Sequence, residues 1–205
     1  VDKQLVPFPI NIETLNRLYG IELNESTVED FYRNVRIEVK APKNSEEVVI
    51  SAVGRDLYEK FFKNYTKKQW GVYPCDLAPE VTARITYRQD WDDRYFNDSY
   101  QGIPQEGYTK MIERMLDSPK IEIRCNTSYR EIQNLVRADR VIYTGTIDGY
   151  FDYCLGALPY RSLQFRFETL ETPFFQPVAV VNYPNDHKFT RITERPNCRQ
   201  VLIQQ

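Results

Sequence analysis

The chain has 205 residues, long enough for one large domain or two small ones with a real core. It is 41% hydrophobic and 27% charged, with a net charge of -2 and a pI near 5.6, which excludes a broad polyanion-binding face and so a general nucleic-acid binder. Aromatic residues are plentiful, with 15 Tyr, 11 Phe and 2 Trp, which suits either a Tyr-rich core or a pocket for a planar or sugar-like ligand.

The first part reads as helical. Asn11 can cap a helix carrying Ile12, Leu15, Leu18 and Tyr19 on one face and ending at Gly20. Ser26-Thr-Val-Glu29 has the form of a capping box before Phe31, Tyr32 and Val35. Asn44-Ser-Glu-Glu47 repeats that form and opens a longer helix, in which Val49, Val53, Leu57 and Phe61 make one apolar stripe running into Phe61-Phe62. A last helix places Tyr108, Met111, Ile112, Met115 and Leu116 together, with Pro119 just beyond.

From Lys120 the period changes to two. Ile121 and Ile123 alternate with charged neighbours, and Arg140 to Tyr143 reads as a short strand. Leu163, Phe165 and Phe167, then Pro177 to Tyr183, Lys188 to Glu194 and Arg199 to Ile203, give a run of strands separated by Pro and Asn turns. The fold class expected is therefore α+β: a helical lobe over 1–118, then a mainly antiparallel β-rich segment over 119–205, with its sheet over 157–205. The start without Met and the strand pattern at the very end lead us to expect a piece of a larger protein.

Two stretches carry residues suited to chemistry. Phe61 to Gly71 sets Tyr65 and Trp70 among Lys63, Lys67 and Lys68; aromatic faces stack on a base, and ammonium groups neutralise phosphate. The plainer reading is a helix end with lysines at its negative pole. Arg84 to Pro104 is too polar for a core element and too aromatic for a solvated linker, which fits a mobile loop near 84–104. Its Arg84, Arg88 and Arg94 are planar donors suited to a diphosphate, although Asp90, Asp92 and Asp93 could simply pair with them.

The single histidine, His187, rules out a Ser-His-Asp or Cys-His set. Cys75, Cys125, Cys154 and Cys198 are too widely spaced for a zinc site, so no metal is expected and the cysteines read as reduced thiols. There is no G-x-G-x-x-G, no apolar run of spanning length and no signal-peptide pattern, so no membrane insertion and a cytoplasmic location are expected. The residues alone lead to a binder of an anionic, aromatic ligand.

Several segments in order resemble the UDP-galactopyranose mutases, flavoenzymes that interconvert UDP-galactopyranose and UDP-galactofuranose. They are Tyr65-Thr-Lys-Lys-Gln-Trp-Gly71, Asp93 to Pro104, Tyr143-Thr-Gly-Thr-Ile-Asp148, Leu158-Pro-Tyr-Arg-Ser-Leu163, Val181-Asn-Tyr183 and Thr190-Arg-Ile192. Thr146 stands where the family pattern leads us to expect Pro. The resemblance runs over about 55–194 and implies UDP-galactose as substrate, FAD in its reduced form as cofactor, and leaves room for a homodimer. It further implies that Phe61, Tyr65, Thr66 and Trp70 hold uridine, and that Arg84, catalytic on a mobile loop, swings toward the diphosphate. Tyr95 and Arg191 would bind phosphate oxygens and Asn182 the substrate, while Arg161, also catalytic, would lie beside the flavin with Asn126 and Thr127 near its adenine end. Strands near 120–148 would then belong to a larger FAD-binding α/β fold. In the family the flavin N5 itself attacks the sugar; its glycine-rich motif and C-terminal tyrosines have no counterpart here, so this chain alone is expected to be inactive. Two other classes fit the residues: a non-catalytic nucleotide-sugar-binding module, and an amine-oxidase-like flavoprotein, against which the Trp70 and Arg84 stretches argue.

Overall fold

The computed structural model describes residues 1–83, 87–172, 174–195 and 200–204. The chain forms two compact units: Val1–Phe96 with Tyr160–Gln205, and Asn97–Pro159. This is a different division from one at 118/119, because the helix after Gly107 groups with the segment that follows it. The mixed α+β class holds, with a helical first part and a four-stranded antiparallel sheet near the end.

In the first unit, α1 (Ile12–Tyr19) starts as its sequence predicts: Asn11 Oδ1 accepts from Thr14 N at 2.9 Å, and Thr14 Oγ1 accepts in return from Asn11 N. Gly20, at φ 62°, ends it in the left-handed conformation. Helix α2 (Val28–Val35) does not use the expected capping box. The Ser26 hydroxyl instead donates to Asn24 Oδ1 at 2.6 Å, because the Asn24 side chain forms a local turn that competes for it.

Helix α3 (Ser45–Val53) is capped by Asn44, which accepts from Glu47 N. The expected long helix is interrupted at Gly54, whose φ of 85° and ψ of 170° suit only glycine. A Cβ there would lie 2.4 Å from the Val35 carbonyl oxygen, so α2 and α3 meet at a bare backbone. A short α4 (Arg55–Leu57), a π-helical turn (Tyr58–Lys63) and α5 (Asn64–Trp70) follow end to end. The wider π turn lets the adjacent Phe61 and Phe62 both turn inward. The core is Ile10, Ile12, Leu15, Val28, Tyr32, Val49, Ile50, Val53, Leu57, Tyr58, Phe61 and Phe62.

The stretch after Thr86 bonds to the segment around Ile10. Tyr87 bridges to Ile10, Arg88 N donates to Ile10 O at 2.7 Å, and Ile12 N donates to Asp90 O at 3.1 Å. Arg36 lies against the rings of Tyr32 and Tyr87 and donates to Tyr87 Oη at 2.8 Å.

The sheet contains β1 (Phe165–Thr169), β2 (Val180–Asn182), β3 (Arg191–Arg195) and β4 (Gln200–Gln204), in the order β1-β4-β3-β2 and antiparallel throughout. Ile192 and Val201 supply its buried face. Glu194, also buried, accepts from Phe175 N and Gln176 N at 3.0 Å each, which satisfies its carboxylate.

The second unit holds α6 (Gly107–Leu116), α7 (Tyr129–Ile132) and α8 (Ile147–Tyr150). The helix expected before Pro119 is α6. The strands expected near Ile121–Ile123 and Arg140–Tyr143 do not form. A period of two makes a strand only where a second strand pairs with it, and neither stretch has a pairing partner among the described residues. Thr146 replaces the expected Pro with a side chain that caps α8, accepting from Gly149 N at 3.3 Å.

Candidate functional site

The site gathers around one side of α5 and the hairpin of β2 and β3. Register pairs Asn182 with Arg191 across that hairpin. Tyr65, from the first turn of α5, meets both side chains. Tyr65 Oη donates to Asn182 Oδ1 at 3.4 Å, Arg191 Nε donates to the same oxygen at 3.1 Å, and Arg191 Nη2 donates to Tyr65 Oη at 3.2 Å. Two donors aimed at one Asn182 atom identify it as the amide oxygen, so the amide nitrogen faces away from the triangle. Arg191 Nη1 makes no hydrogen bond among the described residues. The triangle therefore presents amide and guanidinium donors beside a phenol ring, a set that suits a phosphorylated, partly aromatic ligand.

The other residues expected to hold uridine differ in setting. Trp70, at the C-terminal end of α5, is 43% exposed, so much of the residue is accessible to solvent. Thr66 is 6% and Phe61 8% exposed, so both serve mainly to seat the helix. Phe61 stacks on Phe8 with centroids 6.1 Å apart, and Phe8 in turn contacts Tyr95 at 6.5 Å. The link through Phe8 is not legible in the sequence, since Phe8 lies between two prolines with no period to place it.

Arg161 reaches the C-terminal end of α5. A Cβ on Gly71 would lie 2.6 Å from Arg161 Nη2, so the guanidinium rests against a bare glycine near the helix's negative pole. Arg84 lies outside the described residues. Arg88 and Arg94, offered by charge as diphosphate donors, take the plainer course. Arg94 grips both Asp92 carboxylate oxygens, with Nε at 2.9 and 3.1 Å and Nη2 at 2.8 Å, while buried Arg88 donates to Arg94 O and lies 3.6 Å from Asp92. Arg94 holds the Asp92 carboxyl below the usual carboxylate range.

The three lysines also have protein partners. Lys63 pairs with Glu59, Lys67 donates to Tyr73 Oη, and Lys68 Nζ donates to the carbonyls of Tyr183 at 2.6 Å and Phe189 at 3.4 Å. Burial pushes the Lys68 ammonium below its ordinary pKa, against a smaller opposing pull from Asp186. The ammonium groups of this run are thus each engaged by a protein acceptor.

In the second unit, Asn126 sits in the left-handed region at φ 53° and the Thr127 hydroxyl donates to Cys125 O at 3.0 Å. Among the described residues no cluster of His, Cys, Asp or Glu could hold a metal, and no helix is long and apolar enough to cross a membrane. Cys75, Cys125 and Cys154 are free and exposed.

The family model described as UDP-galactopyranose mutase matches residues 60–202, a span that includes the whole triangle and both strands of the hairpin. The chain belongs to this family, which is FAD-dependent. It is 37% identical over 202 residues to a probable UDP-galactopyranose mutase of Klebsiella pneumoniae, covering 95% of this chain and 50% of that protein. It is 32% identical over 198 residues to a dTDP-fucopyranose mutase of Escherichia coli, covering 93% of this chain and 52% of the relative. A UDP-galactopyranose mutase of Mycoplasma pneumoniae is 28% identical over 200 residues, covering 91% of this chain and 50% of its own length. The chain thus spans about half the length of the curated relatives it matches.

Proposed function

We propose that this chain is the nucleotide-sugar-gripping part of a UDP-galactopyranose mutase, with UDP-galactose as substrate and the isomerase reaction belonging to a protein of the relatives' length. The observation that carries this is the Tyr65–Asn182–Arg191 triangle, in which a helix and a hairpin separated by more than a hundred residues bring a phenol, an amide and a guanidinium into hydrogen-bond contact. Such donors hold a diphosphate in place and neutralise it as it becomes a leaving group. Trp70 and Tyr65 supply faces for the base, and Tyr95 extends the polar edge beyond Phe8. Arg84 completes the diphosphate grip on this reading. Arg161, with no ion-pair partner among the described residues, adds positive charge at the end of α5. The cofactor is assigned to the assembled protein, and this chain alone neither binds FAD nor turns over.

A second reading rests on the Escherichia coli relative, whose name specifies dTDP and fucopyranose. The triangle suits the diphosphate common to both nucleotides, so calorimetry with UDP and dTDP side by side decides the base. In the full-length protein, Trp70→Ala should weaken binding of the preferred nucleotide by about 1–3 kcal/mol, the scale of one aromatic stack on a base. Unchanged affinity would make Trp70 a packing residue and count against the site. Arg84→Ala should lower turnover at least about tenfold, with Arg84→Lys recovering only part, because a point charge lacks the guanidinium fork.

A further inference from the structure

Lys68 stands one helical turn beyond Tyr65 and is half-buried, an unusual place for an ammonium unless it has partners. Its acceptors are the carbonyls of Tyr183 and Phe189, at 2.6 and 3.4 Å. Tyr183 directly follows Asn182, and Phe189 lies two residues before Arg191, so one ammonium bridges both legs of the hairpin just beyond its paired residues. The hairpin is closed at that level by Tyr183 N donating to Thr190 O at 2.9 Å. Its tip is stiffened by Tyr183, His187 and Phe189, whose rings meet at 4.8 to 5.1 Å. A second clasp lies alongside: Asn64 Nδ2 donates to Asn185 Oδ1, and Asn185 Nδ2 donates to Lys60 O, both at 3.0 Å. Without these clasps the hairpin would meet the helix in this region through the Tyr65 contacts, which are themselves the ligand-facing groups.

We infer that Lys68 is a positioning residue: by holding the carbonyls of Tyr183 and Phe189 it locks the β2–β3 hairpin onto α5 and sets Asn182 and Arg191 against Tyr65 for the diphosphate. It acts through those side chains rather than on the ligand. Two of its three N–H donors are committed to backbone carbonyls, and the ammonium is partly buried. The inference rests on the nucleotide-sugar reading above.

The test uses the full-length protein and UDP as probe, in calorimetry. Lys68→Met, which keeps the stem and removes the donors, should weaken UDP about tenfold, the loss expected for one charge-assisted bond. Lys68→Arg should recover most of it, since a guanidinium can donate to both carbonyls. In an Arg191→Ala background Lys68→Met should cost clearly less than it does alone, because one of the two groups it positions is gone. Asn185→Ala, a change on the exposed loop, should give a smaller loss in the same direction, and it decides the matter if Lys68→Met does not fold. Amide exchange over 183–190 should rise in Lys68→Met while 12–19 stays protected. Losses that add in full with Arg191→Ala would make Lys68 a direct ligand and overturn the inference. So would unchanged UDP affinity in both Lys68→Met and Asn185→Ala, which would leave the nucleotide-sugar reading intact. Failure of the unsubstituted protein to bind UDP or dTDP would instead overturn that reading, and this inference with it.

Discussion

The two units of this chain have comparable apolar patterns and opposite fates. In Val1–Phe96 the stripes on α1, α2 and α3 find one another, and Leu57 is 1% exposed. In Asn97–Pro159 no residue is buried; α6 carries Tyr108, Met111, Ile112, Met115 and Leu116 on its surface, and Leu155 is 98% exposed. What holds the second unit is local. Ser128 N donates to Glu131 Oε2, Thr146 caps α8, Asp148 accepts from Leu158 N, and the rings of Tyr129, Tyr143 and Tyr150 lie with centroids 5.0 to 5.9 Å apart. Amphipathic period is thus a statement about what a segment can bury, and burial follows only where a second stripe is brought to it.

The largest expected effect breaks that contrast directly. Leu57→Ala should destabilise the first unit by about 2–5 kcal/mol, whereas Leu155→Ala should fall within about 0.5 kcal/mol. Both tryptophans, Trp70 and Trp91, belong to the first unit, so urea unfolding followed by tryptophan fluorescence reads it alone. Limited trypsin digestion sharpens the same point, with first cuts expected between 97 and 159. Early cuts within α1 to α3 would mean that the buried core does not confer the protection claimed for it.

A second comparison uses two glycines of nearly equal backbone angle. Gly54 has φ 85° and Gly156 has φ 87°, but a Cβ at Gly54 meets Val35 O at 2.4 Å while one at Gly156 meets nothing within 4 Å. Alanine at Gly156 should cost only the left-handed strain, about 1 kcal/mol. At Gly54 the displaced Val35 backbone adds to this, for a total of about 2–3 kcal/mol. Equal losses would show that the α2–α3 contact yields easily.

These glycines also mark what could be read in advance. The starts of α1 and α3 were legible because Asn11 and Asn44 bond within three residues of themselves, and the strands of the sheet because short apolar or alternating runs are separated by Pro and Asn turns. The break at Gly54 was not, since its cause is a carbonyl nineteen residues earlier. The box at Ser26 failed against a competitor, Asn24, only two residues away. For the site, the family resemblance was informative, and residue type alone was not. Tyr65, Asn182 and Arg191 were expected to serve one ligand, and they meet. Arg88 and Arg94 carry the same charge as Arg191 yet are spent on Asp92 and the Arg94 carbonyl. Phe8, Lys68 and Asn185 matter through contacts more than fifty residues away in sequence, which no local pattern signals.

The smallest effect separates the units by how each holds an aspartate. In the first unit Arg94 lowers the Asp92 pKa chiefly through a side-chain hydrogen bond with opposite charge. In the second, Asp148 is lowered chiefly by the Leu158 backbone N–H, then by the Thr146 hydroxyl. Both folded values lie below the ordinary aspartate value of about 3.9. Each carboxylate therefore contributes its stabilisation fully above that value and loses it as pH falls through the folded pKa. Raising the salt discriminates between them. An ion pair on the surface is screened as the Debye length shrinks to about 3 Å at 1 M, whereas a hydrogen bond from a neutral N–H is much less affected. In an acid titration followed by amide NMR, the Arg94 amide should report a midpoint that climbs toward the ordinary value in 1 M salt. The Leu158 amide should report a depressed midpoint that stays nearly in place. A Leu158 signal that titrates at the ordinary value in low salt would mean that the 148–158 closure does not persist, and the second unit would lose one of the few local ties that distinguish it from an unstructured segment.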